Sequence, residues 1–162
     1  MTVFTRGKDA FRFAFDEYTD TVYRVAFHNT KSAADADDIT QEVFLKLLQH
    51  NKPIRGDEHL KAWLIRTTVN LCHDYYRKNS KLEIVENPIK DEAVTETETE
   101  SVLDAVKMLP ENYRNAIYLH YYEGYTAKEI GKILGAKEST VLSWMSRGRS
   151  ALKDMIGGFD DE

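Results

Sequence analysis

Residues 109–152 read LPENYRNAIYLHYYEGYTAKEIGKILGAKESTVLSWMSRGRSAL, and this stretch decides the fold of the second half of the chain. Thr126 and Glu129 have the spacing of a capping box, in which a hydroxyl and a carboxylate satisfy the first free N–H groups of a helix. Gly135 favours the left-handed conformation that ends a helix, so this helix is expected to stop at Leu134. A second helix that carries several cations follows within a few residues. Two short helices joined by a glycine turn predict a helix-turn-helix, whose second helix enters the major groove of DNA.

Composition limits the classes of protein to which the chain can belong. Its 162 residues are 42% hydrophobic, which is sufficient for one packed domain or two small ones. There is no apolar run of membrane-spanning length and no leader-like pattern in residues 1–12, so we expect a cytoplasmic protein without membrane insertion. The single cysteine, Cys72, rules out an internal disulfide and is expected to be a small packed residue.

The net charge of −5 is unusual for a protein that binds DNA, but it is unevenly distributed. Residues 81–100 carry two basic and seven acidic side chains, so this segment alone accounts for the net charge. It has few large apolar residues after Val94, and we therefore predict an acidic, flexible linker. Residues 61–78 and 137–153 are each locally basic, as phosphate binding requires.

The apolar periodicity predicts helices throughout and no strands. Helices are expected over residues 10–29, 35–49, 60–78, 101–108, 111–122, 126–134 and 138–156. Phe15 and Leu48 are among the apolar residues assigned to the buried faces of the first two helices, and residues 51–57 are assigned to a loop. The predicted fold is all-α, with lobes at residues 1–80 and 101–162 on either side of the linker.

No pattern in the chain indicates catalysis or a cofactor. The five histidines lack metal-ligand spacing, and there is no glycine-rich phosphate loop, nucleophile–base pair or paired-carboxylate arrangement. We therefore predict neither catalytic activity, nor a metal site, nor any cofactor.

Taken together, the two lobes resemble the extracytoplasmic-function (ECF) sigma factors of bacterial RNA polymerase, members of the sigma-70 family. In the second lobe the resemblance rests on Leu109, Pro110, Arg114, Ile117, Leu119, Glu123, Gly124, Thr126, Glu129, Ile130, Leu134, Gly135, Thr140, Val141, Ser143, Arg147 and Arg149. In the first lobe it rests on Val22, Tyr23, Arg24, Asp35, Ala36, Asp37, Asp38, Ile39, Gln41, Glu42, Phe44, Trp63, Leu64, Arg66, Asn70, Asp74 and Arg77. The resemblance implies a region 2 bundle, a linker and a region 4 helix-turn-helix.

The resemblance also implies a surface that binds core RNA polymerase. The residues that match the polymerase-binding helix of the family are Asp35, Asp38, Gln41 and Glu42. The last three recur at i, i+3 and i+4, so they share one helix face. An acidic, polar face is suited to docking on a basic partner surface, although solvated carboxylates near a helix N-terminus would give the same pattern.

The helix over residues 61–78 resembles the element with which the family opens the promoter and reads its minus-ten motif. Capture of unpaired bases needs cations for the backbone, planar groups for stacking and amides for base edges. The candidates are Arg55, Arg66, Asn70, Arg77 and Lys78. Trp63 is expected in the core, whereas Tyr75 and Tyr76 leave open which ring packs and which meets DNA.

The second helix of the helix-turn-helix departs from the family pattern. Where the family has cations this chain has Leu142 and Trp144, which either contact thymine methyls or sugars or pack against a protein. Lys137 stands at the capping position, and Gly148 replaces an alanine, which would weaken the helix by about 1 kcal/mol. The candidates for minus-thirty-five recognition are Ser139, Thr140, Ser143, Arg147 and Arg149.

The resemblance therefore implies a sigma factor whose partners are core RNA polymerase, promoter DNA as duplex and as non-template single strand, and an anti-sigma factor. Two alternatives remain open from the sequence. One is a helix-turn-helix regulator that binds duplex DNA without polymerase. The other is a helical protein that binds polymerase but has lost DNA reading.

Overall fold

The computed structural model describes residues 2–82 and 98–157, with side chains described for residues 2–78 and 102–157. Residues 83–97 of the predicted linker, residues 81–100, lie outside these ranges, whereas its ends, residues 81–82 and 98–100, are helical. The chain divides into two compact units, Met1–Glu83 and Ile84–Glu162. The prediction of an all-α fold in two lobes is confirmed.

The described residues form seven helices and one very short pair of strands. In chain order the elements are β1 (Val3–Phe4), α1 (Gly7–Thr30), α2 (Ala33–Gln49), β2 (Ile54–Arg55), α3 (Asp57–Leu82), α4 (Glu98–Lys107), α5 (Glu111–Tyr121), α6 (Ala127–Leu134) and α7 (Glu138–Ile156). None of these helices is long and apolar enough to cross a lipid bilayer.

The first unit is a bundle of α1, α2 and α3 around one apolar core. Small residues on α1, Ala10 and Ala14, are fully buried and allow the larger side chains of α2 to approach closely. Leu47 of α2 and Leu60 and Leu64 of α3 fill the centre and are likewise fully buried. Cys72 packs into this core, as the sequence predicts.

Two details of the first unit differ from the sequence prediction. Residues 54–55 are not part of a loop but pair antiparallel with Val3–Phe4, with Ile54 fully buried as an anchor. Two residues are too few to produce a visible alternation, so the sequence gives no sign of this pairing. The apolar periodicity predicts that Phe15 and Leu48 are buried, but their exposed fractions are 49% and 43%. Phe15 meets Phe44 edge-on with ring centroids 5.5 Å apart, so only part of its ring is covered.

The helix-turn-helix of the second unit forms as the sequence predicts. The Thr126 hydroxyl accepts a hydrogen bond from the Glu129 N–H at 3.1 Å, and the Glu129 carboxylate accepts one from the Thr126 N–H at 2.9 Å. Gly135 ends α6 with φ at 75° in the left-handed region. The turn between α6 and α7 is therefore fixed at both ends by local backbone chemistry.

Gly148 makes a close contact that helix propensity alone does not predict. A Cβ atom on this residue would lie 2.8 Å from Cγ1 and 3.2 Å from Cδ1 of Ile117, which is buried on α5. The glycine therefore allows α7 to pack closely against α5, and a side chain at this position would push the two helices apart. Glycine lowers the helix propensity at this position, but it also lets α7, the recognition helix, pack more closely against α5.

Candidate polymerase and nucleic-acid interfaces

The second helix presents a polar face at the position predicted for partner binding. Ser32 caps this helix, its hydroxyl accepting a hydrogen bond from the Asp35 N–H at 3.2 Å. Asp38, Gln41 and Glu42 are all exposed and lie within one turn of each other. The helix therefore offers carboxylates and an amide on a rigid, capped support.

Asp35 differs from the other three candidates. It is half-buried, and its carboxylate accepts a hydrogen bond from the hydroxyl of Tyr75 on α3. This contact joins residues that are 40 positions apart, and it leaves Asp35 engaged within the unit. Asp38 and Glu42 are therefore the more accessible carboxylates of the set.

Two exposed leucines continue the polar face of α2, and apolar periodicity gives no sign that they are functional. Leu45 is 52% exposed and follows Gln41 by four residues, and Leu48 follows by seven. Residues at these spacings lie on the same side of a helix. We call Asp38, Gln41, Glu42, Leu45 and Leu48 together the α2 face. An apolar area with a polar border is the usual composition of a protein–protein interface.

The third helix places the predicted strand-opening residues along one side. Arg66, Asn70 and Arg77 are exposed and recur at spacings of four and seven, while Ile65, Val69 and Cys72 of the same helix are buried. From Arg66 to Arg77 the helix rises about 16 Å, which is enough for a strand to meet several of these groups. Lys78 is exposed directly after Arg77.

Arg55 lies ahead of this helix, in β2, with its side chain exposed. Its backbone N–H donates to Nδ1 of His59 at 2.9 Å, which ties the segment before α3 to the first turn of that helix. The structure therefore fixes Arg55 near the N-terminal end of α3, whereas Arg77 and Lys78 stand near its other end.

The aromatic residues of α3 belong largely to the core. Trp63 is half-buried, packs against the core and has its ring centroid 5.0 Å from that of His50, so its predicted core role is confirmed. Tyr75 also packs against the core and meets the ring of Tyr76 edge-on at 5.9 Å. Both tyrosines are half-buried. Because Tyr75 packs against the core, it is the packing ring that the sequence left unassigned.

The recognition helix, α7, exposes some of its candidate residues and partly covers others. Ser139, Arg147 and Arg149 are exposed, whereas Thr140 and Ser143 are half-buried. Lys137 occupies the N-cap position and makes no side-chain capping hydrogen bond, consistent with its lack of an acceptor.

One arginine of α7 is positioned by the neighbouring helix. An Nη atom of Arg149 donates to the hydroxyl of Tyr121 at 3.2 Å, and Tyr121 belongs to α5. Gly148, the preceding residue, also lies close to α5, where a Cβ atom would meet Ile117 at 2.8 Å. The close approach at Gly148 therefore brings the Arg149 side chain within reach of its partner.

Burial changes the acid–base behaviour of a few groups. Burial, together with the nearby Lys52 and His59, holds the pKa of His50 below its ordinary value of 6.5. Burial also raises the pKa of the Tyr122 phenol, whose ring stacks on Tyr118 at 5.4 Å. His50 accordingly favours its neutral form near pH 7. In residues 2–82 and 98–157, no three His, Cys, Asp or Glu side chains are placed to hold a metal ion.

These features define a class of protein: a helical unit with an exposed polar face, and a second unit that contains a helix-turn-helix. Two family models match the chain in this order. The model described as Sigma-70 region 2 matches residues 14–82, and that described as Sigma-70, region 4 matches residues 99–152. Together they cover about three quarters of the sequence. The chain belongs to the sigma-70 family and is an ECF RNA polymerase sigma factor.

Known relatives are similar over nearly the whole chain. It is 28% identical over 150 residues to RNA polymerase sigma factor SigZ of Bacillus subtilis, covering 89% of this chain and 85% of that protein. It is 29% identical over 158 residues to ECF RNA polymerase sigma factor SigE of Mycolicibacterium smegmatis, covering 90% of this chain and 61% of the relative.

Among solved structures, the fold is similar to the sigma factor RpoE in a complex with the anti-sigma factor NepR from Bartonella quintana. That match has a TM-score of 0.75 at 21% identity and covers 93% of this chain and 98% of that one. At this level of identity the likeness concerns the fold, and it confirms the pairing of a helical bundle with a helix-turn-helix unit.

Proposed function

We propose that this sigma factor binds core RNA polymerase through the α2 face, opens the promoter with α3 and reads the minus-thirty-five element with α7. The observation that carries the proposal is the order of two family regions, each with an exposed surface of suitable chemistry. Like the family to which it belongs, it directs initiation by polymerase rather than catalysing a reaction itself. It therefore acts in the cytoplasm, where polymerase transcribes.

Polymerase docking follows from the composition of the α2 face. Exposed carboxylates attract a basic partner surface and accelerate its encounter, while Leu45 and Leu48 supply apolar area that a bound partner covers. A protein inhibitor is part of the proposal, because the sigma factor RpoE, to which the fold is similar, is bound by an anti-sigma factor.

Promoter opening follows from the side of α3 that carries Arg66, Asn70 and Arg77. The arginines are placed to hold phosphates, and the amide of Asn70 can pair with a base edge. Such contacts with a single strand form only after the duplex opens. They therefore stabilise the open complex relative to the closed one and shift the population toward it.

Transcription with purified components tests the proposal against both alternatives. The full chain is added to core polymerase on genomic fragments, and run-off transcripts are measured. A sigma factor gives promoter-specific transcripts. A regulator that acts alone, or a polymerase-binding protein that does not read DNA, gives none above core polymerase.

Two variants then test the opening surface. Asn70→Ala and Arg77→Ala should retain core binding but lose permanganate reactivity of unpaired thymines at a cognate promoter. Arg12→Ala is the matched control, because Arg12 is an exposed arginine on α1 of the same unit. If both α3 variants open the promoter as fully as the parent, α3 is not the opening surface.

A further inference from the structure

The exposed face of the recognition helix carries an apolar residue in its first half. Five exposed residues follow one another along α7 at spacings of three or four residues: Ser139, Leu142, Ser146, Arg149 and Lys153. They therefore form one stripe along α7.

The other side of α7 packs within the unit. Val141, Met145, Gly148 and Leu152 are buried, and α7 contacts α5 and α6 through this side. In a helix-turn-helix the free side of the second helix is the side that enters the major groove. The exposed stripe is thus the part of this chain that faces base edges when α7 is bound to duplex DNA.

Leu142 is the prominent side chain in the first half of that stripe. It is 50% exposed, and its neighbours along the stripe, Ser139 and Ser146, are short. Trp144 lies off the stripe and is half-buried, so its ring does not stand between Leu142 and the groove. A groove-bound α7 would bring the Leu142 methyl groups toward the bases.

The chemistry of a leucine limits which base it can favour. It has no hydrogen-bond donor or acceptor, so against a G·C pair it would cover polar edge atoms without replacing their hydrogen bonds. Thymine alone presents a methyl group in the major groove. We propose that Leu142 is a specificity-determining residue that reads the C5-methyl group of a thymine in the minus-thirty-five element. This inference rests on the proposed reading of that element by α7.

Removal of a single methyl group tests the inference directly. Holoenzyme assembled from the full chain and core polymerase is used to select promoters from a library randomised across the minus-thirty-five region. Each thymine of the recovered element is then replaced, one at a time, by deoxyuridine, which lacks only the methyl. We expect about four-fold weaker binding at one position, the loss that corresponds to one buried methyl group.

Substitutions at Leu142 test whether this loss of binding comes from the leucine side chain. Leu142→Ala and Leu142→Lys should bind the thymine and deoxyuridine promoters equally, because the side chain that contacts the methyl is absent. Ser146→Ala, on the same stripe one turn later, should keep the four-fold preference. Both alanine variants are at exposed positions of a helix, where alanine is well tolerated.

The possible results distinguish a failure of this inference from a failure of the proposed function on which it rests. A defined minus-thirty-five element that lacks thymine, or that tolerates deoxyuridine at every position, overturns the role of Leu142 and leaves the sigma factor intact. A deoxyuridine effect that persists in both Leu142 variants also overturns it. Absence of any promoter-specific transcription would instead contradict the proposed function.

Discussion

Replacement of Gly148 by alanine is expected to destabilise the second unit, although alanine is the better helix former. The gain in helix propensity is about 1 kcal/mol. Against it stands a new Cβ atom 2.8 Å from Cγ1 of Ile117, a buried β-branched residue with little freedom to move. Overpacking of this kind costs about 1–3 kcal/mol, so the net loss should be about 1 kcal/mol.

The two tryptophans make this loss measurable in the full chain, because Trp63 belongs to the first unit and Trp144 to the second. In a Trp63→Phe background, the fluorescence of Trp144 reports thermal unfolding of the second unit alone. A loss of about 1 kcal/mol should lower its Tm by about 4–8 °C for a unit of this size. Ser150→Ala is the matched control: it lies two residues further along α7, is exposed, and should leave the Tm unchanged or slightly raised.

A double-mutant cycle locates the cause. Ile117→Ala removes both Cγ1 and Cδ1, the atoms that would lie 2.8 and 3.2 Å from the new Cβ, and should reduce the penalty of Gly148→Ala by at least about 0.5 kcal/mol. If Gly148→Ala raises the Tm as a helix-propensity gain alone would, the close packing of α7 on α5 does not limit this position. Strict additivity with Ile117→Ala would contradict the proposed contact.

Two further predictions concern the first unit. Reversing the charges of the α2 face with Asp38→Arg and Glu42→Arg should weaken binding to core polymerase and change the free energy of unfolding by about 0.5 kcal/mol or less. Asp16→Arg with Asp20→Arg, exposed on α1 at the same spacing, is the control, and equal affinity of the two double variants would remove the α2 face from the interface. The second prediction follows from His50, whose pKa is lower in the folded state than its ordinary value of 6.5. Because the unfolded chain then binds more protons, stability should be complete above pH 6.5 and fall as the pH drops below it. In a Trp144→Phe background, denaturant midpoints followed by Trp63 fluorescence between about pH 5 and pH 8 should show this slope, and an unchanged slope in His50→Gln would contradict the assignment.

The sequence predicts those parts of the fold that depend on neighbouring residues. The capping box of Thr126 and Glu129 and the left-handed turn at Gly135 are local, and each has the predicted geometry. Helix periodicity likewise places Trp63 and Cys72 against the core. A short span of sequence is therefore sufficient to predict a feature that one turn of backbone determines, such as a helix cap or a helix end.

Sequence patterns do not predict structural features that depend on a distant part of the chain. The sign of the effect at Gly148 depends on Ile117, which lies on another helix. The burial of Ile54 depends on a two-residue pairing with the N-terminus, and the partial exposure of Phe15 depends on how Phe44 meets it. The roles of the candidate polymerase- and DNA-binding residues rest on family resemblance and exposure together, and they remain predictions.

The hydrogen bond from Tyr75 to Asp35 has a consequence for mutational studies of this protein. It joins α3, which carries the proposed strand-opening residues, to the first turn of α2, which carries the proposed docking face. A substitution at Asp35 therefore alters both surfaces, and a defect in initiation caused by it cannot be assigned to either step. Asp38 and Glu42, both exposed, are the positions at which recruitment can be varied separately from melting.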